Sequence, residues 1–230
     1  MSPRSRFLRM LALCVAAAPI AFAESAAVAT LLTDGYSSAG QTVSQLAAPG
    51  MPHPAIVNAG FVAYGVMMQP LGPLLLRAIG GLGGRLVWGL VVVYGGGAVL
   101  ATVFTDQSTA VILGVTENVW HDVVGRVGFS AIMTMTLLVP YLLRRDPRWR
   151  GWRVFSLAMG VLTAALVVPF QADWWPGIAG VWQRAFFAAT LLWVGVTAGR
   201  LFVLAGRGAL DTAPARVAPS GTATPAGSAS

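Results

Sequence analysis

Chemistry in this 230-residue chain has few side chains to draw on: two histidines, eight carboxylates and one cysteine, Cys14. A single cysteine excludes an intrachain disulfide and a cysteine cage for a metal. Two histidines fall short of the three protein ligands that a catalytic zinc usually takes, so no metal and no cofactor are expected. What remains is a scattered polar set: Tyr36, Gln41, Ser44, Asp106, His121, Gln183 and Arg184. His121 suits general-base chemistry, with Asp106 as the group to orient it. A nucleophile at Ser44 has no His–Asp partner fixed by spacing. Arg184, with Gln183 beside it, suits an anionic group. His53, between Pro52 and Pro54, reads as a loop residue. The glycine run Gly80–Gly84 lacks the strand–helix setting of a phosphate loop.

The elements that must position these groups are set by lipid. Hydrophobic residues make up 56% of the chain and charged residues 10%, with a mean hydropathy of +0.71. A soluble domain carries about 25% charge. A chain this apolar cannot cover its surface with polar groups, so bilayer hydrocarbon must solvate much of it. Six windows meet the length of about 20 residues that a helical crossing needs: 10–32, 55–76, 86–104, 121–143, 154–171 and 184–204. They are apolar all round rather than alternating with period two, which favours helices over barrel strands. The expected fold is therefore all-α, a polytopic bundle of six spans. Residues 1–9 form a cytoplasmic amino terminus, 10–204 the membrane domain and 205–230 a disordered cytoplasmic tail rich in Ala, Pro, Ser and Gly.

Orientation follows from arginine. All fifteen basic residues are arginines, and with the amino terminus inside, thirteen of them fall on the cytoplasmic side, leaving Arg126 and Arg184 outside. That gives an N-in/C-in topology in a bacterial inner (plasma) membrane. It also explains the net charge of +7 without nucleic acid as a partner. Trp120, Trp149, Trp152, Trp174, Trp175 and Trp182 stand near span ends, where indoles favour the interface. The first span has two open readings. Arg4 to Arg9, the apolar run and Ala21-Phe22-Ala23 resemble a cleavable leader, whereas apolar residues continuing from Ala26 to Leu32 favour a retained span.

Charges inside spans are costly, about 2.5–3.5 kcal/mol at a helix centre, and so mark function or pairing. Glu24 is expected about 12 Å from the outer end of its span and Arg126 about 8 Å from its own, at 1.5 Å per residue. An intramembrane pair of Glu24 with Arg126 or Arg184 would clamp helices or support a site. Asp122 stands four residues before Arg126, the favourable order for pairing along one helix. Gly125, on the face of His121, leaves room for a helix or a ligand. Gly95-Gly96-Gly97 suggests a close helix contact, and Gly195 with Gly199 a weak packing motif.

The order of these features resembles the bacterial membrane proteins grouped as domain of unknown function 998, over about residues 10–204. Glu24 in the first span precedes Gly35-Tyr36-Ser37-Ser38-Ala39-Gly40-Gln41-Thr42-Val43-Ser44-Gln45-Leu46-Ala47, similar to that family's glycine–tyrosine, threonine–valine–serine, leucine run. Val103-Phe104-Thr105-Asp106 is similar to its phenylalanine–aspartate end of the third span. His121 with Gly125 and Phe129 fits its fourth span, and Gly180-Val181-Trp182-Gln183-Arg184 its entry to the sixth. The resemblance implies fold and topology, and no activity.

Tyr36, Ser44, Asp106, His121, Gln183 and Arg184 all map to the outer face, so a site there is expected to meet a membrane lipid or small amphiphile. In that reading Arg184 takes the anionic group, Asp106 and His121 orient it, and Glu24–Arg126 supports from below. The alternatives are an intramembrane hydrolase or transferase using His121 and Asp106, and a small transporter using Glu24, for which Pro19 and Pro70 are possible bends.

Overall fold

A computed structural model describes residues 2–210. Its helices are α1 (Pro3–Leu31), α2 (Pro54–Met67), α3 (Leu71–Ile79), α4 (Gly81–Leu100), α5 (Glu117–Leu142), α6 (Arg150–Gln171) and α7 (Ala179–Gly206). Six segments are long and apolar enough to cross a membrane, α2 and α3 together making the second. The chain is an all-α six-span bundle. Of the expected tail over 205–230, residues from 211 onward lie outside the described part.

The spans close a ring in sequence order: α1 packs on α2, α2 on α4, α4 on α5, α5 on α6, α6 on α7, and α7 back on α1. Aromatic rings fill the middle of its outer half. Phe22 contacts Phe61, Tyr64 and Phe187, and Phe129 contacts Phe186 and Phe187, with centroids 4.6–6.1 Å apart. Two glycines set how closely the ring closes. A Cβ on Gly65 would stand 2.4 Å from the Gly95 carbonyl oxygen, so only glycine lets the α2 and α4 backbones touch there. By contrast, nothing lies within 4 Å of a Cβ on Gly195 or Gly199, and that motif packs no helix within this chain.

Several boundaries differ from the sequence expectation. Helix α1 starts at Pro3, capped by the Ser2 hydroxyl on the Ser5 amide at 3.1 Å, so Arg4, Arg6 and Arg9 belong to the helix rather than to a separate terminus. Its buried side chains, from Leu8 to Ala29, make it an integral wall of the bundle, unbroken at Pro19. Pro70 does break its span. The Gln69 side-chain amide donates to the Gly65 carbonyl at 2.8 Å, giving a partner to a carbonyl at the break. The turn between α3 and α4 is Gly80 alone, with Gly80 and Gly81 at φ of 74° and 55°, and the rest of the glycine run is helical, so α4 starts five residues before expected. The loop before α5 holds an element the sequence reading missed, an antiparallel pairing of β1 (Val111–Ile112) and β2 (Val115–Thr116).

At the inner end, Arg148 grips the Asp146 carboxylate through Nε and Nη2, reaching 2.6 Å, and also donates to the Ala209 carbonyl. Arg200 donates to the Arg148 carbonyl in turn. Burial pushes the Asp146 pKa up, but the Arg148 hydrogen bonds and the charges of Arg148 and Arg153 outweigh it, holding the carboxyl below its ordinary range. Further in, Trp193 donates to the Ser156 hydroxyl (2.7 Å), which donates to the Thr136 carbonyl (3.1 Å), tying α5, α6 and α7 together. Trp149, expected at the interface, is instead fully buried against Trp152, whereas Trp174 and Trp175 are exposed.

Candidate functional site

The outer loop between α1 and α2 builds the site. Its polar sequence carries one apolar stretch, and Val43, Leu46, Ala47 and Ala48 are buried, so the loop folds into the mouth of the ring instead of over it. A short 3₁₀ turn at Ser44–Ala47 holds Ser44 there. The anchor is Arg184, in the second turn of α7 and not at the helix start expected from sequence. Its Nη1 donates to the carbonyls of Ser38 (2.9 Å), Gln41 (2.8 Å) and Gly180 (3.2 Å), and its Nη2 to the Tyr36 hydroxyl (2.6 Å). The same hydroxyl lies 2.7 Å from the Thr42 carbonyl oxygen. Burial raises the Tyr36 pKa, while the Arg184 hydrogen bond and charge act the other way without cancelling it. Gly180 is needed for this fit, because a Cβ there would stand 2.3 Å from the Gln41 oxygen and 2.5 Å from that of Ser38.

Behind the loop lies a polar cavity of about 310 Å³, at the low end of the range for ligand sites. Its walls include Ser44, Asp106, His121 and Gln183, four of the expected site residues, together with Asp122, Gly125 and Arg126. Asp106 accepts from the Ser44 hydroxyl at 3.1 Å and lies 3.5 Å from the Thr42 hydroxyl. A second, apolar chamber of about 50 Å³ adjoins it, lined by Phe22, Tyr64, Tyr94 and Phe187 among others. Ser44, His121, Gly125, Phe129 and Gln183 line both, and so form the neck between them.

Two neck residues have their chemistry fixed by backbone partners. The Nδ1 of His121 lies 2.8 Å from the Phe104 carbonyl oxygen. A carbonyl only accepts, so Nδ1–H donates, and the Nε2 of the neutral ring is left as an acceptor. Gln183 is 3% exposed, and its Oε1 accepts the Val43 amide at 2.5 Å. That fixes the amide, and its NH₂ is the edge left for a ligand. Beside the Ser44 hydroxyl, the neck thus offers the Gln183 amide as donor and His121 Nε2 as acceptor.

Three expected relations are not formed. Arg184 and Tyr36 are absent from the cavity wall; they hold the loop that closes it. His121 is oriented by Phe104, and no hydrogen bond joins it to Asp106. Glu24 is exposed on the outside of α1 and pairs with neither Arg126 nor Arg184; the ion pair found among the described residues is Arg148–Asp146. Glu24 lies seven residues from the end of a 29-residue helix about 43 Å long, so its carboxylate needs only a short reach to the headgroups. Asp122 and Arg126 both face the cavity without forming an ion pair. Sequence reasoning missed Thr42, Gln45, Gln171 and Asp173 in the wall. The available signal for the last two was a polar island, Gln171-Ala172-Asp173, between Phe170 and Trp174 at a span end. Among the described residues, no three His, Cys, Asp or Glu side chains are disposed to hold a metal ion.

A closed ring of apolar helices, with a polar cavity at one end and arginines concentrated at the other, defines a multi-pass helical membrane protein of the bacterial inner membrane. The chain belongs to the family of proteins of unknown function DUF998, which matches residues 15–200. No curated protein and no solved structure matches it.

Proposed function

We propose that this protein binds a small amphiphile with an ammonium head at its outer end, without transforming it. The observation that carries this reading is adjacency. A polar cavity adjoins an apolar chamber, with five residues lining both, the sequence of environments an amphiphile requires. The sign of the head follows from the walls, where Asp106, Asp122 and Asp173 face a single guanidinium, Arg126. This reverses the anionic head expected when Arg184 was placed in the site. The apolar part is short, since the chamber has room for roughly four water-sized groups.

An intramembrane hydrolase loses its support with the His121–Asp106 pair, and a carrier built on Glu24 loses its buried acid. The test is calorimetric titration of purified protein with butylammonium. Replacing Asp106 by Asn removes a charge-assisted contact of about 1.5–3 kcal/mol, roughly a tenfold to hundredfold loss of affinity. Equal affinity in Asp106→Asn would remove the proposal.

A further inference from the structure

A second feature of the outer half lies on the membrane side of α1 and α7, separated from the apolar chamber by Phe22, Phe187 and Leu191, which line both. A groove of about 500 Å³ runs between them, floored by Ala23, Ala27 and Leu31 of α1 and by Ala188 and Leu191 of α7. The small side chains of Ala23, Ala26 and Ala27 on α1 and Ala188 on α7 keep the groove open between the bulkier Phe22, Phe187 and Leu191. Arg184 is the one charged residue lining it.

The depth of Arg184 suits a lipid phosphate. The 28 residues of α7 span about 42 Å against a hydrocarbon thickness of about 30 Å, leaving roughly 6 Å of helix beyond the hydrocarbon at each end. Arg184, five residues from Ala179, lies about 8 Å along, close to that boundary. Its guanidinium is not used up by the loop. Of five N–H donors, the bonds to protein oxygens engage Nη1 and one position on Nη2, and Nε has no protein partner among the described residues. The nearby acid, Glu24, does not line the groove; it lies about two turns deeper on α1 than Leu31.

Another membrane-facing groove, between α1 and α2, is of similar size at about 530 Å³ and is lined by Ala21, Ala59 and Ala63 among others, with no charged residue. Both grooves must fill with acyl chain in a bilayer. Only the first adds a cation at phosphate depth.

We infer that the α1–α7 groove is a binding site for one anionic phospholipid of the outer leaflet, its chain along the alanines and its phosphate on Arg184. The test uses the full chain in nanodiscs of mixed phosphatidylglycerol and phosphatidylcholine, with retained lipid counted by native mass spectrometry. Wild-type protein should retain one phosphatidylglycerol with a preference of about fivefold, the effect of one interfacial arginine. Because Arg184 also holds the loop, the deciding variants are Ala188→Trp and Ala27→Trp, exposed positions where a bulky side chain fills the groove without entering the core. Both should abolish the preference, whereas Ala59→Trp in the neighbouring groove should leave it intact. Inorganic phosphate alone should not displace the lipid. A preference that survives both groove variants, is equally lost in Ala59→Trp, or is competed away by phosphate would overturn the assignment.

Discussion

Replacing Gly180 by alanine tests the loop anchor on which the cavity depends. The new Cβ would stand 2.3 Å from the Gln41 carbonyl oxygen, and ordinary contact begins near 3.4 Å, so that carbonyl must retreat by about 1 Å (3.4 − 2.3). Both nearest atoms are backbone, and no rotamer change relieves them. Arg184 Nη1 is 2.8 Å from the same oxygen, so a retreat of that size stretches the bond to about 3.8 Å and breaks it. Overpacking of this kind costs about 1–3 kcal/mol. The cost should appear as local opening of the loop, because the six-span ring does not depend on it. Hydrogen exchange at the Val43 amide, held by Gln183, is the reporter. Protection there should fall by roughly one to two powers of ten, at 1.4 kcal/mol each. Gly177→Ala is the control, since nothing lies within 4 Å of a Cβ at that position. If the two variants exchange alike at Val43, the steric argument for the anchor is wrong.

Gly65→Ala forces α2 from α4, with its Cβ 2.4 Å from the Gly95 oxygen and 2.8 Å from Val99 Cγ2, and should destabilise the bundle by about 1–3 kcal/mol in steric-trapping unfolding. The depressed pKa of Asp146 means that its contribution to stability is present above its unfolded value near 3.9 and is lost as pH falls through the lower folded value. Limited proteolysis of the inner loop should therefore rise only below about pH 4, and Asp146→Asn should remove that acid dependence. In a series of n-alkylammonium ions, each methylene entering the chamber should add about 0.8 kcal/mol, and the gain should stop after roughly four carbons. A steady rise to octylammonium would show that the chamber is not what holds the apolar end.

The spans were legible because the need to bury apolar surface acts on composition over 20 residues at a time, and the arginines mark which ends stay in the cytoplasm. Four of the cavity's side chains, Ser44, Asp106, His121 and Gln183, were legible as polar groups at one end of apolar helices. Their partners were not. Sequence reasoning weighs charges against charges, and so set Glu24 against Arg126 and placed Arg184 beside Asp106 and His121. The structure engages Arg184 Nη1 with backbone carbonyls and His121 with the Phe104 carbonyl, partners that every residue offers and no residue type advertises. The same blindness hid Asp173, whose place in the cavity is set by a backbone at φ 52° that nothing in its neighbours demands. The small β1–β2 pairing was hidden because two residues per strand are too few to show a period.

The most direct measurement compares butylammonium with butyrate, ligands of matched length and opposite sign, titrated against the same purified protein at low salt. The carboxylates of the outer cavity predict saturable binding of the cation, with butyrate weaker by at least about tenfold. Binding of butyrate as tight as that of butylammonium, or tighter, would contradict the account.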